Sequence, residues 1–230
     1  MKYKSEIYSL LENKMLKYQD LIDIKVNENN EKFVKLETSD NLSVKQIDNQ
    51  MLKYTGNQIF VRCGVADKLW KVATRIKQLN SRLKLQIVYG YRPIEVQTSL
   101  FCKYYKRLDD KAMNKSEKLE AVHRLIAVPE VSGHPTGGAV DVQILLDNNY
   151  SIGFGTKIWE FKPDSYTYSP FISNKSKLNR MFLRNLMSEE GFAPFDGEWW
   201  HFSYGDKEWA KYYDENYAIY SQIAFDNLRI

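Results

Sequence analysis

The stretch at residues 139–145, Ala-Val-Asp-Val-Gln-Ile-Leu, constrains the fold more than any other. Val140, Val142 and Ile144 alternate with Asp141 and Gln143, the period of a half-buried strand. The segment before it, residues 129–138, holds two prolines and three glycines and reads as a loop with tight turns. A second strand is expected at 83–89, stopped by Gly90 and by Arg92-Pro93, since proline disfavours helix in the residue before it. Further β-like pieces lie at 21–26, 33–36, 58–61 and 199–204.

Helical spacing predicts the remaining elements. Ile7, Leu10, Leu11 and Met15 predict a helix over 5–18. Val65, Leu69, Val72, Ala73 and Ile76 form one apolar stripe over 65–79, with Asp67 in the first turn, where the helix dipole favours an acid. Residues 94–107 and 114–127 are also read as helical. Leu178, Met181, Phe182 and Leu186 share a face over 178–187, and Trp209, Tyr213 and Tyr217 align over 207–220. Helices come early and strands cluster late, so the fold class is α+β, a small central antiparallel sheet flanked by helices.

A chain of 230 residues suits a single domain, here 1–230, with helical extensions at 1–19 and 206–230. Apolar residues at 43% and charged residues at 27% exclude an intrinsically disordered chain. No apolar run approaches the ~20 residues of a membrane span. Lys+Arg exceed Asp+Glu by 33 − 29 = 4, spread thinly along the chain, so no nucleic-acid partner is expected. Cys63 and Cys102 have no CxxC spacing and read as thiols of a reducing compartment. The first twenty residues carry Lys4, Glu6, Glu12 and Lys14 and offer no secretory core, so a cytoplasmic location is expected. Oligomeric state is left open.

The chain has three histidines. His123 sits in an expected helix without an acid or glycine at ligand spacing and is read as structural. His134, Asp141 and His201 make a two-histidine, one-carboxylate set, with Glu198 three residues before the last. Catalytic zinc takes three such ligands and keeps a fourth position open. His134 and Asp141 differ by an odd number, so an unbroken strand would point them to opposite faces. Gly137 and Gly138 lie between them and let the loop fold back over the Asp141 face. Glu198 is expected on the turn after Gly197, with His201 just inside the strand, leaving Glu198 near the metal without binding it. Chance alone can produce so sparse a set.

The segments Ser132-x-His134-x-x-Gly137-x-Ala139-x-Asp141 and Glu198-x-Trp200-His201 match the defining motifs of the zinc D-alanyl-D-alanine peptidases. Tyr91-Arg92-Pro93 with Gln97 also resembles a segment of these enzymes, whose fold is shared with lysostaphin-like and hedgehog-like relatives. The similarity runs from about residue 20 to 206. It implies that His134, Asp141 and His201 bind one Zn²⁺, that Glu198 is general base and then general acid, and that Arg92 stabilises the oxyanion. It also implies that Ser132 holds substrate near the metal.

The resemblance implies a small D-amino-acid peptide substrate. In the dipeptidase branch an acid in a Gly-Ser/Thr-x-Phe/Tyr-Asp stretch meets the substrate ammonium. Here the stretch reads Gly155-Thr156-Lys157-Ile158-Trp159-Glu160-Phe161, with the acid one position late. Glu160 is the expected ammonium partner. The aromatics Phe161, Tyr166 and Tyr168 are expected to cover the site. The Trp-Trp pair before His201 favours hydrolysis of free D-Ala-D-Ala over D,D-carboxypeptidase trimming of stem peptides. A non-catalytic zinc-binding module is the third reading, disfavoured by Glu198 and Arg92, which a structural zinc does not need. Ser81-Arg82-Leu83-Lys84 and Ser39-Asp40-Asn41 resemble serine-enzyme motifs, but their order is reversed and no KTG follows, so they are read as accidents.

Overall fold

The computed structural model describes residues 2–109 and 111–228. Its strands are β1 (Phe33–Lys35), β2 (Leu42–Val44), β3 (Phe60–Arg62), β4 (Leu83–Tyr89), β5 (Ala139–Leu146), β6 (Ala193–Pro194) and β7 (His201–Ser203). Five of them form one sheet in the order β2-β4-β5-β7-β6, and β1 and β3 pair separately. The α+β expectation holds. The central sheet is antiparallel except at one edge, where β2 joins β4 in parallel.

The helices are α1 (Lys2–Glu12), α2 (Tyr18–Leu21), α3 (Cys63–Leu79), α4 (Ile94–Lys106), α5 (Lys115–His123), α6 (Asn174–Glu189) and α7 (Lys207–Tyr212). The expected stripe of α3 is fully buried and packs with Leu85, Ile87, Val140, Val142 and Ile144 of the sheet. Burying each such side chain contributes ~1.5–3 kcal/mol. Leu183, Leu186 and Met187 of α6 join the same core.

Several expectations are corrected. Strand β5 is not half-buried: Asp141 is 1% exposed, because the polar face lies under the chemistry of the molecule rather than under water. Leu10 and Leu178, placed on buried faces by spacing, are 64% and 70% exposed. On α1 the buried positions are Tyr8 and, beyond the helix, Met15, packed on Tyr166. On α6 the buried stripe runs through Ser176, Arg180, Leu183 and Met187. The 21–26 piece is largely loop, following α2.

The helix expected at 207–220 ends at Tyr212, with Asp206 as its N-cap accepting from the Trp209 N–H at 2.9 Å. Asp214 takes a left-handed φ of 56°, and the chain then runs extended beside residues 25–29. There the Asn27 N–H donates to Ala218 O and the Ala218 N–H to Lys25 O. The alternation of buried Ala218 and Tyr220 with part-exposed neighbours suits that extended path better than a helix. Further on, the Gln222 amide donates to the carbonyls of Pro129 and Ser132, and the Ile223 N–H to Pro135 O. The tail thus braces the loop that precedes β5.

Two backbone features aim side chains at one place. In β4, Ile87 pairs with Val142 and Tyr89 with Asp141, a bulge of one extra residue. Without it Tyr89 would share the core face of Ile87; with it Tyr89 turns to the face of Asp141. On the other side of β5, Asp141 stands directly opposite His201 of β7.

Candidate metal centre

His134 begins a 3-10 turn, His134–Thr136, closed by Gly137 at φ 73°. A Cβ on Gly137 would lie 2.2 Å from the Phe33 ring, so glycine is required twice, by conformation and by contact. The turn folds His134 over β5, resolving the odd spacing as expected. The Glu198 N–H donates to Phe195 O and the His201 N–H to Glu198 O at 3.0 Å, so Glu198 lies on the turn that leads into β7.

The three groups converge. His134 Nε2 lies 3.6 Å from Asp141 Oδ1, and His201 Nδ1 lies 3.1 Å from the same oxygen. Each residue is held by its other polar atom. His134 Nδ1 meets the Gly90 carbonyl at 2.9 Å. The Trp159 indole N–H donates to Asp141 Oδ2 at 2.7 Å. His201 Nε2 faces Glu208 Oε2 at 3.4 Å. Outer partners of this kind fix ring orientation and raise ligand basicity. A tetrahedral ion with bonds of ~2.0–2.1 Å separates its ligand atoms by roughly 3.3 Å. The donor atoms all lie within 4.8 Å of one another, so two imidazoles and one carboxylate fit zinc in chemistry and in spacing.

The electrostatics match a cation site. Burial works against the Asp141 charge, yet His134 and His201 hold its carboxyl far below the usual range. Burial keeps His134 neutral by lowering its pKa. Burial also opposes charge on His201, but hydrogen bonds to Asp141 and Glu208 raise it well above the ordinary value. Metal binding at these groups is therefore coupled to proton release. The Glu198 carboxyl is pushed up to about 8, by burial first, with the charges of Asp141 and Glu208 adding to it.

Arg92, Ser132, Glu198 and the metal set line one cavity. The Arg92 guanidinium donates from Nε to Tyr89 OH at 2.9 Å and from Nη1 to Gln97 Oε1 at 2.7 Å. Its Nη2 makes no hydrogen bond to the described residues. Ser132 is 3% exposed beside the ligand loop.

Glu160 is not brought to the site. It is paired with Lys162 at 2.6 Å and accepts from the Lys157 N–H at 3.0 Å, its side chain 40% exposed. The preceding residue, Trp159, lines the cavity instead, with a left-handed φ of 61° that bulky residues rarely adopt. Phe161 lines the cavity too, whereas Tyr166 and Tyr168 do not.

Sequence reasoning missed four residues. Trp159 and Glu208 orient ligands, and nothing in their spacing to the motifs marks them. His123 also lines the cavity. Arg180, 1% exposed, organises the covering loop: it donates to the carbonyls of Phe154, Asp164 and Tyr166. A buried arginine is uncommon enough that helix periodicity treats it as surface. From outside the cavity, Glu12 accepts from Tyr166 OH at 2.7 Å and from Arg124 at 3.1 Å. It joins the covering loop to the wall that follows α5.

The chain belongs to the D-Ala-D-Ala dipeptidase family, whose sequence profile matches residues 26–223. The match therefore takes in most of the aromatic tail that the motifs leave out. A D-alanyl-D-alanine dipeptidase of Synechocystis sp. (strain ATCC 27184 / PCC 6803 / Kazusa) is 28% identical over 198 residues, 75% of this chain and 80% of that one. One from Enterococcus faecalis (strain ATCC 700802 / V583) is 25% identical over 191 residues, 80% of this chain and 90% of that one. Among solved structures, a mutant of the vancomycin resistance D,D-pentapeptidase VanY in complex with Zn(II) aligns with a TM-score of 0.42 and 18% identity, covering 86% of this chain and 96% of that one.

Proposed function

We propose that the protein is a zinc-dependent peptidase that hydrolyses D-Ala-D-Ala to two D-alanines. The observation that carries this reading is the convergence of His134, Asp141 and His201 in a cavity shared with Glu198 and Arg92. When bound, zinc supplies Lewis acidity towards the peptide carbonyl and lowers the pKa of water.

His134, Asp141 and His201 would hold the ion, each side chain steadied by its outer partner. A cation there opposes the effect of burial on Glu198 and favours its carboxylate. Glu198 then takes a proton from the attacking water and delivers it to the nitrogen of the leaving D-alanine as the C–N bond breaks. Arg92 cannot lose its proton, and Tyr89 and Gln97 fix its plane, so Nη2 can meet charge on the former carbonyl oxygen. Ser132 lines the cavity beside His134 and contributes to holding substrate. Trp159 and Phe161 cover the site and exclude water, which strengthens these contacts.

One observation favours D,D-carboxypeptidase trimming of stem peptides as a second reading. With Glu160 on the surface, the cavity carboxylates are Asp141, Glu198 and Glu208. Asp141 is assigned to the metal, Glu198 to proton transfer and Glu208 to His201, so none is left over for a free substrate ammonium. Free dipeptide goes with a cytoplasmic enzyme, and trimming of wall peptides with an exported one. No helix among the described residues is long and apolar enough to cross a membrane.

The test is D-alanine release by the zinc-loaded protein from D-Ala-D-Ala and from a stem pentapeptide ending in D-Ala-D-Ala, with and without chelator. Chelator-sensitive cleavage of the dipeptide is expected. Cleavage of the pentapeptide alone selects the second reading, and zinc binding without any cleavage leaves a non-catalytic module.

A further inference from the structure

His123 closes α5 with its ring 3% exposed, on the wall of the cavity that holds the metal set. Its Nδ1 accepts a hydrogen bond from the Val128 N–H at 3.3 Å. A ring nitrogen that accepts carries no proton, so the neutral imidazole carries its hydrogen on Nε2. Burial favours that neutral form, and Glu208 is the charge that opposes burial most. Nε2 is itself buried and has no hydrogen-bond partner among the described residues.

A buried donor without an acceptor is costly, and folded proteins retain few of them. Two acceptors of the same wall have other partners. Glu208 Oε2 faces His201 at 3.4 Å, and Ala127 O takes the Gln97 amide at 2.7 Å. The fixed tautomer therefore leaves an unmet N–H on a residue of the cavity wall.

A small peptide offers two strong acceptors, the scissile carbonyl and the terminal carboxylate. On the peptidase reading the carbonyl belongs to the metal and Arg92. We propose that His123 is a specificity-determining residue, whose Nε2–H binds the C-terminal carboxylate of the substrate and makes that free carboxylate a requirement. The ligand's identity rests on the peptidase reading; the unmet donor does not.

The test compares D-Ala-D-Ala with D-Ala-D-alaninamide on the zinc-loaded protein. The unaltered enzyme prefers the acid. His123→Leu is expected to raise the KM of the acid about ten- to hundredfold, the usual worth of a hydrogen bond to a charged group. The acid-over-amide ratio of kcat/KM falls by the same factor, and His123→Gln, which restores an N–H, recovers part of it. An equal loss in kcat on both substrates would mean that the ring acts through Glu208 and His201, and would overturn the proposal, as would no loss on either.

A second readout does not need turnover. In zinc-loaded Glu198→Gln protein, ¹⁵N NMR of the three histidines should show His123 protonated at Nε2 alone. Its Nε2 signal should shift on titration with D-alanine; an unmoved signal at saturation overturns the proposal. Failure of the peptidase reading looks different: no peptide is cleaved while His123 still responds to D-alanine.

Discussion

Two regions build the same cavity by different means. Strands β5 and β7 set Asp141 opposite His201 through backbone register, and the glycine turn before β5 adds His134. Residues 147–173, by contrast, supply Trp159 and Phe161 from a segment with little regular structure, held by Arg180 and by the Trp199 indole bonded to Thr156 at 2.9 Å. In the first region a side chain's direction follows from counting residues. In the second it follows from contacts with partners far along the chain. The metal centre belongs to the first region, and the surface that covers the cavity to the second.

The widest separation between the regions comes from Glu198→Gln. On the proposed mechanism Glu198 carries the proton, so its loss should lower kcat by ~10²–10⁴, with zinc content by metal analysis unchanged. Arg92→Met should follow with a loss of ~10²–10³ in kcat, because one oxyanion donor is removed while Tyr89 and Gln97 remain. Glu208→Gln weakens the orientation of His201 and should reduce zinc affinity ~10–100-fold in competition with a chromophoric chelator.

Metal-free protein gives a pH signature. Glu198 has a folded-state pKa raised to about 8, so between its ordinary value of 4.5 and 8 the folded state binds the extra proton. Its contribution to stability therefore falls as pH rises through that window, at ~1.4 kcal/mol per pH unit at most. The raised His201 acts in the same direction, its contribution complete below 6.5 and lost as pH rises through its folded value. Chemical unfolding of metal-free Glu198→Gln should show a shallower fall with pH than the unaltered protein. Equal slopes would mean that Glu198 does not carry the proton.

The smallest effect is expected at Glu160→Gln. Its carboxylate is occupied by Lys162 at the surface, so kcat/KM on D-Ala-D-Ala should stay within about twofold. A large loss there would show that the covering loop swings Glu160 inward with substrate.

How far the sequence could be read follows the same division. The stripe of α3, strand β4 and the alternation of β5 were legible because packing obeys the helix and strand periods. The folding back of His134 was legible because Gly137 and Gly138 stand between it and β5. The turn of Trp159 into the cavity was not, since it depends on a left-handed backbone angle and on the Asp141 carboxylate awaiting the indole. The end of α7 was missed because Ala218 bonds to residues 25 and 27, a pairing that local spacing does not contain.

Glu12 grips Tyr166 with one oxygen and Arg124 with the other, tying the covering loop to the segment after α5. It does so from a helix that precedes the stretch shared with the family. Substitutions in α1 can thus shift the covering loop against the segment after α5 while leaving every residue of the metal set in place.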